Sequence, residues 1–242
     1  MFSILLISDI HGNFPALHEV IKQHPPDRFD LICNTGDSTV YAPFPNQTLD
    51  WLRYHKVVSI RGNTDDKVIK LLRGKTFNKP GKKEKRVMYT ATARSLTPEN
   101  RAYLLNMKKK RILHVHDQSI GLFHGSPLNH EEFLFADSPE KRFSEIAAQT
   151  RCDIVLTGHS HSPYYRYSNG VHFINPGSVG RMFDGNPAAS YAILTLDDKA
   201  ELSLHLRHFR CPYDIQAVVH ELSHQKLPSI YAQMFRQGRK LN

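Results

Sequence analysis

Short apolar runs that end near a small or turn-forming residue, and are followed by a polar side chain, recur along the chain. Continuous runs of this length beside glycine are typical of strands that are buried on both faces. We therefore predict strands at Ile4–Ser8, Leu31–Cys33, Val57–Ile60, Ile120–Phe123, Ile154–Leu156 and Val171–Ile174.

Helical patterns alternate with the first three of these runs. Asn13 is a favourable N-cap, and Pro15 stands in the first turn of the helix that would follow. We expect the next two helices at Gln47–Tyr54 and Asp66–Leu72. The alternation of strands and helices predicts an α/β fold in which sheets lie between helices.

Turn signals are denser in the second half of the chain, where they predict a hairpin that turns at Asp117-Gln118, followed by further strands. No linker separates two units, so we expect a single domain over residues 1–242. The predicted strands of this half are Arg111–His116, Ser119–His124, Tyr164–Tyr167, Tyr191–Leu196 and Leu202–His208, and the predicted helices are Glu140–Gln149, Ile215–Leu222 and Ser229–Phe235.

Composition fits a globular protein without a membrane segment. Hydrophobic residues make up 40% of the chain, but the early apolar run is only as long as a strand, and no signal peptide precedes it. The cysteines, Cys33, Cys152 and Cys211, lack the spacing of a metal site. We interpret them as reduced, buried thiols and expect a cytoplasmic protein.

The formal net charge of +9 is concentrated in two basic runs, Lys79–Arg86 and Lys108–Arg111. Such runs can attract phosphates or nucleic acid through their electric field. We interpret both runs as solvated loops that are compatible with an anionic substrate.

Polar side chains that can bind metals follow the ends of the predicted strands. Open sheets bind ligands beyond the carboxyl ends of their strands, and carboxylate, imidazole and amide oxygen suit Mn, Fe, Zn, Ni or Co. In Asp-x-His and His-x-His, residues two apart in an extended chain point the same way, so we expect each pair to face one cluster. The fragments are Asp9-Ile10-His11, Gly36-Asp37, Gly62-Asn63-Thr64-Asp65, His124-Gly125 and Gly158-His159-Ser160-His161.

The order and spacing of these fragments resemble the calcineurin-like metallophosphoesterase superfamily, in particular its small bacterial and archaeal phosphodiesterase-like branch. Further agreement comes from Phe123–Pro127 (FHGSP), Asn175–Gly180 (NPGSVG) and Pro212–Asp214 (PYD). The resemblance implies a four-layer α/β/β/α sandwich, in which two mixed sheets are flanked by helices.

The resemblance also implies a pair of divalent metal ions, for which we expect Mn, with Fe, Zn, Ni, Co and Mg as alternatives. Hydroxide bridging the two metals would attack the phosphate ester. One ion would be held by Asp9, His11, Asp37 and His161, and Asp37 would bridge to a second ion that is also held by Asn63, His124 and His159.

One position departs from the superfamily pattern. Much of the superfamily has a histidine that protonates the leaving group where this chain has Thr64, and a threonine cannot act as an acid near neutral pH. We therefore expect a preference for activated esters or for diesters, or a substitute acid from a loop. His130 is the candidate acid, and the alternative is an exposed loop histidine.

Three further residues are candidates for supporting roles. Asp65 would orient a metal-binding histidine, or else supply a charge at a helix N-terminus. Asn13 would contact the substrate phosphate, although capping alone also explains it. Arg181 would clamp the phosphate with two hydrogen bonds, with a surface salt bridge as the alternative.

Several functions stay open from the sequence. The main prediction is a phosphodiesterase or phosphatase that acts on a phosphate-ester small molecule or a nucleotide. The alternatives are a metal-binding scaffold of the same fold, a protein phosphatase and, with weaker support, a nucleic-acid-binding protein. Substrate, metal identity and oligomeric state cannot be read from the sequence.

Overall fold

A computed structural model describes residues 1–197 and 204–242. The strands are β1 (Phe2–Ile7), β2 (Leu31–Asn34), β3 (Val58–Ser59), β4 (Lys110–Val115), β5 (Gln118–Phe123), β6 (Ile154–Leu156), β7 (Tyr164–Ser168), β8 (Val171–Asn175), β9 (Ala189–Leu196) and β10 (Leu204–Cys211). The helices are α1 (Phe14–Gln23), α2 (Pro45–Tyr54), α3 (Asn63–Leu72), α4 (Lys83–Ser95), α5 (Pro98–Asn106), α6 (Glu140–Gln149), α7 (Ile215–His224) and α8 (Ile230–Gln237).

The strands form two five-stranded mixed sheets. The first sheet has the order β10-β9-β1-β2-β3, in which β1, β2 and β3 are parallel and β9 and β10 are antiparallel. The second has the order β4-β5-β6-β8-β7, in which β5, β6 and β8 are parallel and the two edge strands are antiparallel. Because β1, β2, β5 and β6 are covered on both faces of their sheets, their apolar runs are continuous, as predicted.

Successive side chains of the central strand β1 point to opposite faces of the first sheet, and so into two different apolar layers. Ile4 and Leu6 of β1 belong to the apolar cluster between the two sheets, whereas Leu5 and Ile7 belong to the cluster under the helices. In the second sheet, Val155 faces the other way and packs with α6. The order is helices, sheet, sheet and helix, which confirms the predicted four-layer sandwich of mixed sheets flanked by helices.

Two helices, α4 and α5, are absent from the prediction, and a third, α3, begins earlier than predicted. The interpretation of Lys79–Arg86 as a loop is wrong from Lys83 onward, where α4 begins, and α5 was not predicted. Helix α3 begins at Asn63, before the predicted Asp66, so Asn63 lies in the first helical turn. Of the predicted strand Leu202–His208, the first two residues lie outside the described ranges.

The cysteines are free and buried, as expected. Cys33 packs between the sheets, and burial raises the pKa of its thiol, which fits a packing role. Among the helices of the described ranges, none is both long enough and apolar enough to cross a bilayer.

Candidate metal centre

The predicted metal ligands follow parallel strands of both sheets, in the connecting loops or, for Asn63, in the first turn of α3. These loops are short, so the rigid sheets fix where each side chain begins. Asp9 and His11 follow β1, Asp37 follows β2, Asn63 follows β3, His124 follows β5, and His159 and His161 follow β6.

The first group consists of Asp9, His11 and His161, all of them buried. The Nε2 atoms of His11 and His161 are 3.1 Å apart, and Asp9 Oδ1 lies 3.3 Å from His161 Nε2. Burial raises the pKa of Asp9, but its electrostatic interaction and hydrogen bond with His161, together with the nearby His124, outweigh burial and lower the pKa to about 2. A carboxylate and two imidazoles that converge in this way can hold one divalent cation.

The second group consists of Asp37, His124 and His159, joined by Asn63. His159 Nδ1 lies 3.1 Å from His124 Nε2, and Asp37 Oδ2 lies 3.5 Å from the same Nε2. The Asn63 amide oxygen is 3.2 Å from His124 Nε2. This group therefore presents a donor set of the same kind as the first.

Asp37 joins the two groups. Its Oδ2 lies 3.8 Å from His11 Nε2 in the first group and 3.5 Å from His124 Nε2 in the second. Its Oδ1 accepts a hydrogen bond of 2.8 Å from the Thr64 backbone amide, which fixes the carboxylate. A carboxylate oxygen in this position can bridge two cations.

The unpaired atoms fit metal binding. One end of the Asn63 amide lies 3.2 Å from each of three atoms, on Asp37, His124 and His159. The amide nitrogen at that end would donate hydrogen bonds to these atoms, whereas the oxygen at that end would join them as a metal ligand. Asp9 Oδ1 is buried without a hydrogen-bond donor. Buried acceptors that face one another destabilise a protein unless a cation lies between them. The donor set therefore fits two divalent ions.

Backbone carbonyls orient the rings of the histidines. His124 Nδ1 donates to Thr35 O over 2.9 Å, His11 Nδ1 to Thr39 O over 3.3 Å, and His161 Nδ1 to Arg181 O. In the neutral ring, a proton on Nδ1 leaves the lone pair of Nε2 facing the centre. His159 is reversed and presents Nδ1.

Electrostatics favours the ligand form of most of these groups. Burial lowers the pKa of His11 to about 3, and burial together with the nearby His124 lowers the pKa of His159 to about 4. His124 is the exception: burial opposes its charged form, but Asp37, Asp9 and the Thr35 carbonyl together outweigh burial and raise its pKa to about 9. The imidazoles of His11 and His159 are therefore neutral at pH 7, as metal binding requires.

The backbone of the centre is not extended, contrary to the premise used for the Asp-x-His and His-x-His pairs. Asp9, His11, Asp37, His159 and His161 have φ between 49° and 64°, in the left-handed region that residues other than glycine rarely adopt. The turns send His159 to the second group and His161 to the first. The premise of an extended chain is therefore wrong, but both side chains still line the one cavity over the two groups.

Two glycines allow the loops to approach one another. A Cβ on Gly62 would lie 2.1 Å from Asp37 Oδ1, and one on Gly158 would lie 2.1 Å from Ser8 Oγ and 2.7 Å from Asp9 Oδ2. Any side chain at these positions would displace a ligand carboxylate.

A cavity of about 870 Å³ opens over the two groups. Its walls include His11, Asp37, Asn63, His159 and His161, so both groups are accessible from it. Phe133 stacks on His159 at 4.1 Å and Phe183 stacks on His161 at 4.4 Å between ring centroids, and both also line the cavity.

Arg181 and Asn13, the predicted phosphate contacts, differ in position. Arg181 lines the cavity, is 7% exposed and stacks over the Tyr41 ring at 4.0 Å, and its Nε has no hydrogen-bond acceptor. Arg181 is therefore buried and does not form the surface salt bridge that was the alternative. Asn13 is fully buried and uses both ends of its amide, accepting from Ala16 N and donating to Gly180 O, which is the capping arrangement.

Asp65 and His130 lie behind the centre. The Asp65 carboxylate accepts hydrogen bonds from the backbone of Gly62, Ser38 and Thr39, so it positions the Asp37 loop and not a histidine. Burial and the Asp37 charge raise its pKa to about 7. His130 lies 3.4 Å from Asp66, outside the cavity wall in the described part of the chain. Its ring centroid lies 5.6 Å from that of His124, and its role as the acid stays a prediction.

Other wall residues of the cavity were missed by the sequence analysis. Tyr41 and Tyr89 line the cavity, and their hydroxyl oxygens lie within hydrogen-bonding distance, 3.1 Å apart. Lys79 and Lys85 come from the basic run that was interpreted as solvated, and Lys240 comes from the last residues of the chain. The charge of that run was the one available signal for a role at the site.

Comparison with known proteins agrees with this geometry. The family model of the calcineurin-like phosphoesterase superfamily domain matches residues 2–199. An uncharacterized protein of Methanocaldococcus jannaschii is 26% identical over 98% of both chains. Phosphodiesterase YfcE of Escherichia coli K12 is 25% identical over 85% of this chain and 94% of its own.

Solved structures share the fold. A metallophosphoesterase from Sphaerobacter thermophilus is 25% identical, with a TM-score of 0.79 over 98% of this chain and 99% of its own. A hypothetical protein from Pyrococcus horikoshii is 18% identical and matches the fold with a TM-score of 0.86 over 99% and 100% of the two chains. The chain belongs to the calcineurin-like phosphoesterase superfamily, and it is similar to phosphodiesterases of that superfamily.

Proposed function

We propose that the chain is a metal-dependent phosphoesterase that hydrolyses a phosphate ester of a small molecule or nucleotide, within a single domain over residues 1–242. The observation that carries the proposal is the convergence of two buried donor groups that share Asp37 Oδ2 at the floor of an open cavity. The similarity to phosphodiesterase YfcE supports the same reaction class.

The first ion would be held by Asp9, His11, Asp37 and His161, and the second by Asp37, Asn63, His124 and His159. When bound, two such cations lower the pKa of the water between them and neutralise charge on the phosphoryl oxygens. The protein holds the ligands rigidly through Thr35, Thr39 and the Thr64 amide. Arg181 lines the cavity, where its guanidinium would donate hydrogen bonds to a phosphate oxygen.

Proton donation to the leaving group is the weak step of this site. Thr64 lines the cavity where much of the superfamily has a histidine, and His130 lies outside the wall. Loss of a general acid costs about 10²–10⁴-fold with a poor leaving group, and much less when the leaving group is a stable anion. We therefore expect activated esters to be hydrolysed fastest.

The test is hydrolysis of bis-p-nitrophenyl phosphate and p-nitrophenyl phosphate by metal-stripped protein, before and after Mn is added, beside an Asp37→Asn variant. We expect turnover only with metal, and a loss of more than about 10²-fold in the variant, because one change weakens both metal sites. A protein that binds Mn stoichiometrically but turns over neither ester, with Mn, Fe, Co, Ni or Zn, would instead be a metal-binding scaffold.

A further inference from the structure

The cavity over the metal centre is far more basic than one phosphate requires. Six cationic side chains line it, from Lys67, Lys70, Lys79, Lys85, Arg181 and Lys240, against the carboxylates of Asp37 and Glu131. Lys67 lies 3.9 Å from Glu131, and Asp37 belongs to the metal ligands. Within the described ranges, the other lysines of this wall form no ion pair with a carboxylate.

Lys85 interacts electrostatically with two other cations of the cavity wall, Arg181 and Lys240. Burial lowers the pKa of Lys85, and the charges of Lys240, Arg181 and Lys82 lower it further, although the neighbouring Glu84 opposes them. Like charges kept in one cavity raise the free energy of the folded state, and a bound anion lowers that cost.

The rest of the fold holds this arrangement in place. Lys85 lies one helical turn before Tyr89 in α4, and the Tyr89 hydroxyl contacts that of Tyr41 at 3.1 Å. The Arg181 guanidinium stacks on the same Tyr41 ring. Arg181 is more than nine-tenths buried, yet its Nε has no acceptor.

The C-terminal residues bring the third charge. Asn242 Nδ2 lies 3.4 Å from Glu84 Oε1 in α4 and 3.2 Å from the Tyr231 hydroxyl in α8. These contacts tie the chain end to α4 and keep Lys240 at the cavity wall. Lys240 lies beyond residues 2–199, which the family model matches.

The cation cluster adjoins the first metal group. The Tyr41 ring lies 5.1 Å from the His11 ring, and the Arg181 carbonyl accepts from His161 Nδ1. An anionic chain that starts at the metal centre can therefore continue past Arg181 toward Lys85 and Lys240 without leaving the cavity.

We propose that Arg181, Lys85 and Lys240 form a second anion subsite, which binds one or more phosphate groups of the substrate beyond the one that is hydrolysed. The substrate class is a small molecule with linked phosphates, such as a nucleoside polyphosphate, and not a simple monoester or diester. The inference rests on the proposed function for the identity of the reaction, but the binding step does not need the metals.

The test measures binding without turnover. Fluorescence anisotropy would follow AMP, ADP and ATP that carry the same N-methylanthraniloyl label on the ribose, added to metal-stripped protein in the presence of EDTA. We expect affinity to rise with each added phosphate, with labelled ATP bound at least roughly tenfold more tightly than labelled AMP, because each charge-assisted contact contributes strongly.

Paired variants separate the subsite from the general charge of the protein. Lys85→Gln with Lys240→Gln should remove most of the preference for ATP, whereas Lys85→Arg with Lys240→Arg should keep it. Lys22→Gln with Lys141→Gln removes the same charge from exposed positions on α1 and α6 and should leave the preference intact. Melting temperatures of all variants would show that the fold is retained.

The inference is overturned if AMP and ATP bind equally, or if the control pair weakens ATP binding as much as the cavity pair does. Either result is independent of the proposed function, since turnover of p-nitrophenyl esters can succeed while this test fails. Conversely, a chain without turnover that binds ATP through Lys85 and Lys240 would retain the subsite and lose the enzyme assignment.

Discussion

The position of the Asp37 carboxylate depends on its immediate neighbours. The Thr64 amide donates to Oδ1, and Asp65 holds the backbone of Ser38 and Thr39 next to it. Gly62 lies so close that no side chain fits between it and the carboxylate. The carboxylate that we propose as the bridging ligand is therefore held from three sides.

Gly62→Ala should weaken metal binding and destabilise the fold. The new Cβ would lie 2.1 Å from Asp37 Oδ1 and 2.5 Å from Asp37 N, so the loop must move. We expect a loss of about 1–3 kcal/mol in the free energy of unfolding, as for other overpacked sites, together with weaker Mn binding by calorimetry. Gly81→Ala is the control, since a Cβ at Gly81 meets open space. Equal metal affinity in the two variants would contradict this account of Gly62.

For single residues, the chemical type of the candidate metal ligands could be predicted from the sequence, but their backbone conformation could not. Asp37 and His124 stand out because each follows an apolar run and carries a metal-binding group. Nothing in the residues themselves indicates φ of 52° at Asp37 or 64° at His159, because these conformations are imposed by contacts between loops. The burial of Arg181 under Tyr41 depends on contacts of the same kind.

Among the elements, the loop after β5 connects the second metal group to α6. Ser126 in this loop donates to the Glu132 carboxylate, and Arg142 of α6 donates to the same carboxylate at 2.6 Å and 3.0 Å. These contacts fix the segment that begins with His124. The interaction is partly buried, so it should contribute to stability more than an exposed ion pair.

Glu132→Gln should destabilise the protein at neutral pH and matter little in acid. Burial opposes ionisation of Glu132, but Arg142 and Ser126 outweigh it and lower the pKa of Glu132 below 4.5. A lowered pKa stabilises the folded state above the unfolded value, and this contribution is lost as the pH falls through the folded value. Urea unfolding of both proteins between pH 3 and 7 would measure the difference. A difference that grows toward low pH would contradict the assignment.

Elements with a clear apolar pattern could be predicted, whereas α4 and α5 could not. Helix α6 matches its predicted range, because Phe143, Ile146 and Ala147 mark a single face. Helix α4 begins with Lys83-Glu84-Lys85-Arg86, and its buried residues include Thr92 and Ala93, which leave a weak apolar signal. Its packing against α3 is a tertiary effect that outweighs local pattern.

In the whole molecule, the candidate metal centre lies where loops of the two sheets meet. Asp9, His11 and Asp37 come from loops of the first sheet, and His124 and His161 come from loops of the second. Ions bound here would join layers that are otherwise held by the apolar cluster between them. Metal binding should therefore stabilise the folded chain as a whole.

Removal of metal should lower the melting temperature. A ligand at a hundred times its dissociation constant stabilises the folded state by about 2.7 kcal/mol per site. For a chain of this size, each occupied site should therefore raise the melting temperature by roughly 5–10 °C. Differential scanning calorimetry with EDTA and with Mn would measure the shift, and Asp37→Asn should show little of it. A melting temperature that does not respond to Mn in the wild-type chain would contradict the proposed metal link between the two sheets.

The four-layer order could be predicted only from the resemblance to the superfamily, and not from the pattern of apolar residues. Doubly buried runs such as Ile154–Leu156 indicate central strands, but they do not say which sheet contains them. The pairing of β1 with β9, and the approach of Lys240 to the cavity, join residues that are far apart in the chain. Such long-range contacts leave no local pattern.

The most direct test of the account is the number of Mn ions bound per chain and their magnetic coupling, measured by electron paramagnetic resonance during a titration of metal-stripped protein. We expect two ions per chain with a spin-coupled signal, because Asp37 Oδ2 faces both groups, and we expect the coupling to disappear in Asp37→Asn. A single uncoupled ion in the wild-type chain, or none, would contradict the paired metal centre.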